Sequence, residues 1–134
     1  MEVKLSEVID ALYFTNDEIE YYYNPTNGEI FMSNIVDYEN LNEDELDELF
    51  EKSIMLPTRY DINEYEMMED FVETIEDIRL QNQLYISLNG SGAFRRFKDT
   101  CINSDIINDW YKFRDEKYKE IAINWCKENN IKFE

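Results

Sequence analysis

A small α+β fold, with an N-terminal helix and β-hairpin packed against about four helices and a long C-terminal helix, is predicted by three observations. Apolar residues recur at helical spacing near both ends of the chain. Two aromatic and β-branched runs flank Asn24-Pro25-Thr26-Asn27-Gly28, where Asn-Gly is a strong hairpin signal. The chain has 134 residues, 43% of them hydrophobic and 20 aromatic, with only 3 Gly and 2 Pro. That supports a packed core and leaves no room for a long flexible linker, so one domain over 1–134 is expected.

The elements follow in order. Leu5, Val8, Ile9 and Leu12 predict a helix over about 6–14, with Ser6 as its cap. Residues 18–36 switch to strand chemistry; the consecutive Tyr21, Tyr22 and Tyr23 must alternate between faces, so both faces of the hairpin are expected to be covered. Residues 40–52 form an acidic amphipathic helix with a narrow edge of Leu46, Leu49 and Phe50. Leu56-Pro57 interrupts the pattern. Asp61 and Glu64 then resemble a capping box, opening a segment whose apolar residues are Tyr65, Met68, Phe71 or Val72, Ile75 and Ile78, and which continues through Leu84, Ile86 and Leu88. The Asn89-Gly90-Ser91-Gly92 stretch stops it, and Ala93, Phe94, Phe97 and Cys101 mark a short helix. Ser104 is expected to cap the last helix, with a buried stripe of Ile107, Trp110, Tyr118, Ile121, Ala122 and Trp125, ending near Asn129-Asn130. Ile131 to Phe133 then add a short strand or simply dock.

Charge narrows the function. Asp and Glu total 31 against 13 Lys and Arg, a net of −18. Residues 1–57 carry 15 acids and 2 bases, residues 58–90 carry 8 and 2, and residues 91–134 carry 8 and 9. Such a surface repels nucleic acid and anionic membrane, and disfavours direct nucleic-acid binding. No run approaches the eighteen or so apolar residues of a membrane helix, and the N-terminus lacks a signal-peptide pattern, so a cytoplasmic location is expected. Cys101 and Cys126 sit in apolar helical patterns without metal-ligand spacing, which reads as reduced, buried thiols. With no histidine, Ser-His-Asp and Cys-His catalysis and His-ligated metals are excluded.

Several blocks carry a family resemblance: the hairpin YYYNPTNGEI, the segment LPTRYDINEYEMMEDF, the stretch GSGAFRRFKD, and WYKFRDEKYKEIAINWCKENNI. Over nearly its whole length the chain resembles the bacterial uncharacterised protein family 0158. The family pattern places an arginine between the two glycines, where this chain has Ser91. The family carries no assigned activity, cofactor or catalytic residue, so the resemblance implies a shared fold and little else.

Three constellations are candidate sites. Gly90, Ser91 and Gly92 lead into a helix bearing Arg95, Arg96 and Lys98, where free amides and arginines suit an anion or a partner. A tight turn whose bases pair internally with carboxylates is the plainer reading and is preferred, because Gly-x-Gly alone is a weak motif. If an anion binds, one of the adjacent arginines is expected to be structural and the other to reach the ligand. Glu66, Asp70, Glu73 and Asp77, at i, i+4, i+7 and i+11, line one helix face, where paired carboxylates suit general acid–base chemistry or a hard cation such as Mg²⁺. A solvated face, or one facing basic residues of a neighbouring helix, is preferred. Residues 37–48 suggest an EF-hand through Asp37, Glu39 and Glu48, but Leu41 stands at a ligand position and Asn42 replaces the required Gly. That reading is rejected.

No catalytic residue, metal site or cofactor is assigned, and an enzyme is disfavoured. The expectation is a non-catalytic acidic binding or regulatory protein that contacts a basic partner protein. The alternative is a nucleic-acid mimic that blocks a nucleic-acid-binding protein, followed by an enzyme acting on an anionic substrate.

Overall fold

The apolar stripes of the amphipathic patterns are largely buried. The computed structural model describes residues 2–35 and 40–134 and divides the chain into two compact units, residues 1–62 with 118–134, and residues 63–117. Strands are β1 Glu2–Val3, β2 Tyr21–Asn24, β3 Glu29–Met32, β4 Ile54–Met55 and β5 Lys132–Phe133. Helices are α1 Leu5–Phe14, α2 Glu43–Lys52, α3 Arg59–Ile62, α4 Glu64–Glu73, α5 Ile78–Ser87, α6 Ala93–Asn103 and α7 Ile107–Glu128. The α+β class and the long C-terminal helix are as expected. Residues up to Lys117 of α7 belong to one unit, and those from Tyr118 onward to the other.

In the first unit, β2 pairs antiparallel with β3, Tyr23 opposite Ile30, and with β4, Tyr23 opposite Ile54. The hairpin closes through a four-residue loop, with Gly28 at φ 74° and its amide donating to Asn24 O at 2.8 Å. Both faces are covered. Tyr23 is fully buried, edge-on to Trp125, while Tyr22 meets Phe31 and Phe50 on the other side. Those contacts are what α2 gains from its narrow apolar edge, since it has no fully buried residue. Its N-terminus is a complete capping box between Asn42 and Glu45.

β1 and β5 pair in parallel, and Leu5 N donates to Glu134 O at 3.2 Å. This partner, brought from the far end of the sequence, is why α1 starts at Leu5 after Lys4 and why Ser6 does not cap it. Arg59 closes the other end of α1. Its Nε donates to Thr15 O at 2.7 Å, Nη2 to Leu12 O and Tyr13 O at 2.7 and 2.8 Å, and Nη1 to the Tyr118 hydroxyl at 2.8 Å. Tyr118 in turn stacks on Tyr13, centroids 4.0 Å apart.

In the second unit, Phe71, Phe97, Trp110 and Phe113 form an aromatic cluster with centroid distances of 5.1–6.4 Å. The segment expected to run from Asp61 to Leu88 is three helices rather than one. Thr58 and Asp61 cap α3 reciprocally, and Asn63, at φ 50°, caps α4 through Glu66 N. The Thr74 hydroxyl donates to Phe71 O at 2.6 Å, ending α4, and Asp77 caps α5 through Leu80 N at 3.1 Å. Local side-chain hydrogen bonds thus break a pattern that contains no Gly or Pro.

Ser104 does not open α7; it ends α6, its amide donating to Thr100 O. Asp105 follows at φ 60°, with Ile106 N bonded to Cys101 O, a Schellman-type end repeated by Asn130 and Ile131 after α7. Trp110 and Trp125 are both buried, each in a different unit.

Candidate functional site

Gly92 precedes α6 at φ 77°, a conformation that suits Gly, and a Cβ there would come within 3.1 Å of Arg96 Nη1. The reason is that Arg96 folds back over the turn. Its Nε donates to Ser87 O at 3.2 Å, Nη1 to Ser91 O at 2.5 Å, and Nη2 to Asn89 O and, at 3.5 Å, to Gly90 O. The guanidinium fork satisfies carbonyls left open at the end of α5. Arg96 is therefore structural. Its partners are backbone carbonyls, where internal pairing with carboxylates was expected. Arg95 and Lys98 are exposed, as are Gly90, Ser91 and Gly92, and the first turn of α6 has no side-chain cap. The geometry leaves Arg95 and Lys98 as the outward bases of this corner.

The four carboxylates expected on one helix face are divided. Glu66, Asp70 and Glu73 lie on α4, with Glu66 accepting from Asn63 Nδ2 at 3.1 Å. Asp77 lies beyond the end of α4 and serves α5. Met67, Met68, Phe71 and Val72 form the buried side of α4, so Glu66 and Glu73 are exposed and Asp70 half-buried. Asp37 and Glu39 lie outside the described residues. Among the described residues, no group of three or more His, Cys, Asp or Glu is placed to hold a metal ion.

Both thiols are buried, and desolvation raises their pKa, that of Cys101 to about 11. Burial therefore favours the neutral thiol at both positions.

The first unit presents a different arrangement, unmarked by any sequence motif. On α1, Glu7, Asp10, Ala11 and Phe14 stand at i, i+3, i+4 and i+7, one helical face. Together with Tyr21, Glu29 and Ile30 of the hairpin they line a groove of about 370 Å³. Ala11, Phe14, Tyr21 and Ile30 supply its apolar lining, and Phe14 is 70% exposed. A second hollow of about 320 Å³ shares Glu7 and Glu29 and adds Glu2, Val3, Lys4, Gly28 and Glu134. The two hollows are contiguous through their shared carboxylates. On the far side of the hairpin, α2 carries Glu43, Asp44, Glu45, Asp47, Glu48 and Glu51, all exposed. These elements place the acidic N-terminal sequence on a folded surface.

No helix among the described residues is long and apolar enough to cross a membrane. A protein of Pseudomonas aeruginosa strain PAO1, itself described only as a member of an uncharacterised family, is 24% identical over 130 residues, covering 92% of this chain and 82% of its own. No solved structure matches the chain. The whole chain, residues 1–134, matches the model of one family, and it belongs to that family: the uncharacterised protein family 0158 (UPF0158).

Proposed function

We propose that the protein is a non-catalytic, cytoplasmic binding or regulatory protein whose acidic first unit contacts a basic partner protein. The observation that carries this reading is charge placement: the first unit holds 19 acids and 6 bases, and the acids of α1 and α2 are exposed. The capping box of α2 uses Glu45, and Phe50 packs on Tyr22 and Phe31, whereas Asp47, Glu48 and Glu51 are exposed beyond the first turn and are not needed to build the helix. A surface of one sign accelerates encounter with the opposite sign and rejects phosphate backbones, which argues against direct nucleic-acid binding. The absence of histidine and the burial of both thiols leave little nucleophile or base chemistry for an enzyme.

The test is affinity capture of the full chain from its host, followed by mass spectrometry. Expected is a partner with a basic surface, released as salt rises and held less tightly by the α2 variant Asp47→Asn, Glu48→Gln, Glu51→Gln, which removes three charges from the same unit. A partner of acidic surface, or one held equally at high salt, overturns the reading. A captured protein whose basic face is its own nucleic-acid site makes the chain a mimic.

A further inference from the structure

We propose that the groove between α1 and the β2–β3 hairpin docks a segment of a partner protein in which an apolar side chain is flanked by Lys or Arg; this rests on the acidic-surface reading above and names its site. The floor supplies the first half of the argument. Phe14, Ala11, Tyr21 and Ile30 form a concave apolar surface, whereas a lone exposed phenylalanine on a convex surface would need no explanation.

The rim supplies the second half. Glu7, Asp10 and Glu29 border the floor, and the adjoining hollow extends the acids to Glu2 and Glu134, with Lys4 its one base. Among the described residues, no ion pair engages Glu7, Asp10 or Glu29; Glu29 accepts only a 3.4 Å contact from Asn27 Nδ2. Carboxylates held around an apolar floor repel one another, and a cation placed between them relieves that repulsion. The apolar stems of Lys and Arg lie along hydrophobic surface while their heads reach carboxylates. An anionic ligand is rejected by the rim, and a small free polyamine would leave the floor uncovered.

The walls are held in place before any ligand arrives. Leu5, Val8 and Leu12 bury the opposite side of α1. Tyr23, fully buried, donates its hydroxyl to Glu2 O at 2.9 Å and accepts from Glu2 N at 3.1 Å, tying the hairpin to β1. A groove built in advance avoids part of the ordering cost of binding.

The experiment uses the full chain and two fluorescein-labelled, amidated peptides, Lys-Lys-Leu-Lys-Lys-Leu-Lys-Lys and octalysine, titrated by fluorescence anisotropy at about 0.1 M salt. Expected is about tenfold tighter binding of the leucine peptide, the scale of one well-buried aliphatic side chain. Phe14→Ser, at an exposed position, is expected to erase that preference while leaving octalysine binding unchanged. Glu7→Gln with Glu29→Gln is expected to weaken both peptides severalfold, and the α2 variant to keep the preference. Circular dichroism on each variant checks that the fold is retained. Equal binding of the two peptides overturns the groove while octalysine binding keeps the acidic-surface reading alive. A preference that survives Phe14→Ser also overturns the groove. If neither peptide binds, both readings fall.

Discussion

Arg59 and Arg96 do similar work at two helix ends. Each brings a guanidinium from elsewhere to the carbonyls that a helix C-terminus leaves open, Arg59 at α1 and Arg96 at α5. In a chain with 31 acids, their donors go largely to backbone oxygens, because a planar fork can serve several carbonyls at once and its charge suits the negative end of a helix. Cys101 illustrates the opposite case, a group kept neutral by burial. Burial pushes its thiol from an ordinary value near 9.0 up to about 11, so the native state resists ionisation. The folded pKa is raised; the stabilisation is therefore complete below pH 9 and is lost as pH climbs toward 11. Chemical denaturation at pH 8, 9 and 10 is expected to show stability falling over that window, with a shallower fall in Cys101→Ala. Equal slopes would mean that the thiol does not sense folding.

Among elements, the α5–α6 corner depends most on one side chain. Arg96→Lys keeps the charge but loses the fork, so fewer of the carbonyls of Ser87, Asn89 and Ser91 find a donor. The expected loss is about 1 kcal/mol in urea titration, modest because water reaches the exposed turn. An unchanged midpoint would mean that water replaces the fork without loss. That corner also shows where sequence reading reaches its limit. Gly90 and Gly92 announce the turn, but nothing local says which arginine folds back over it. Likewise Asn-Gly marked the hairpin, and the spacing of Leu46, Leu49 and Phe50 marked α2, because both signals are local. β1, β4 and β5 are two residues each, too short for any period to register, and β1 pairs with β5 across nearly the whole chain. The groove was missed for a related reason. Glu7, Asp10 and Phe14 share the face of α1 opposite its apolar stripe, a pattern visible in sequence, but its second wall comes from the hairpin. The outward Phe14 was the available clue.

At the scale of the whole molecule, charge and compactness oppose each other. The first unit carries a net −13 and the second −5. On α2, Glu43 and Asp47, Asp44 and Glu48, and Asp47 and Glu51 stand at i and i+4, where like charges repel by a few tenths of a kcal/mol each. Acids in its first turn recover part of this from the helix dipole, but Asp47, Glu48 and Glu51 lie beyond that turn. Raising ionic strength from about 0.01 M to 0.15 M shortens the range of charge interaction from about 30 Å to 8 Å. Repulsion summed over many exposed acids is cut more than the few attractive pairs, so Tm is expected to rise by several degrees over that range. Asp47→Asn with Glu51→Gln is expected to raise Tm at low salt and to flatten its dependence on salt. Because those substitutions leave the acids of the α1 groove in place, they isolate the cost of the α2 acids to the fold. A Tm that stays flat or falls with salt would show that the acids are already paired or hold cations.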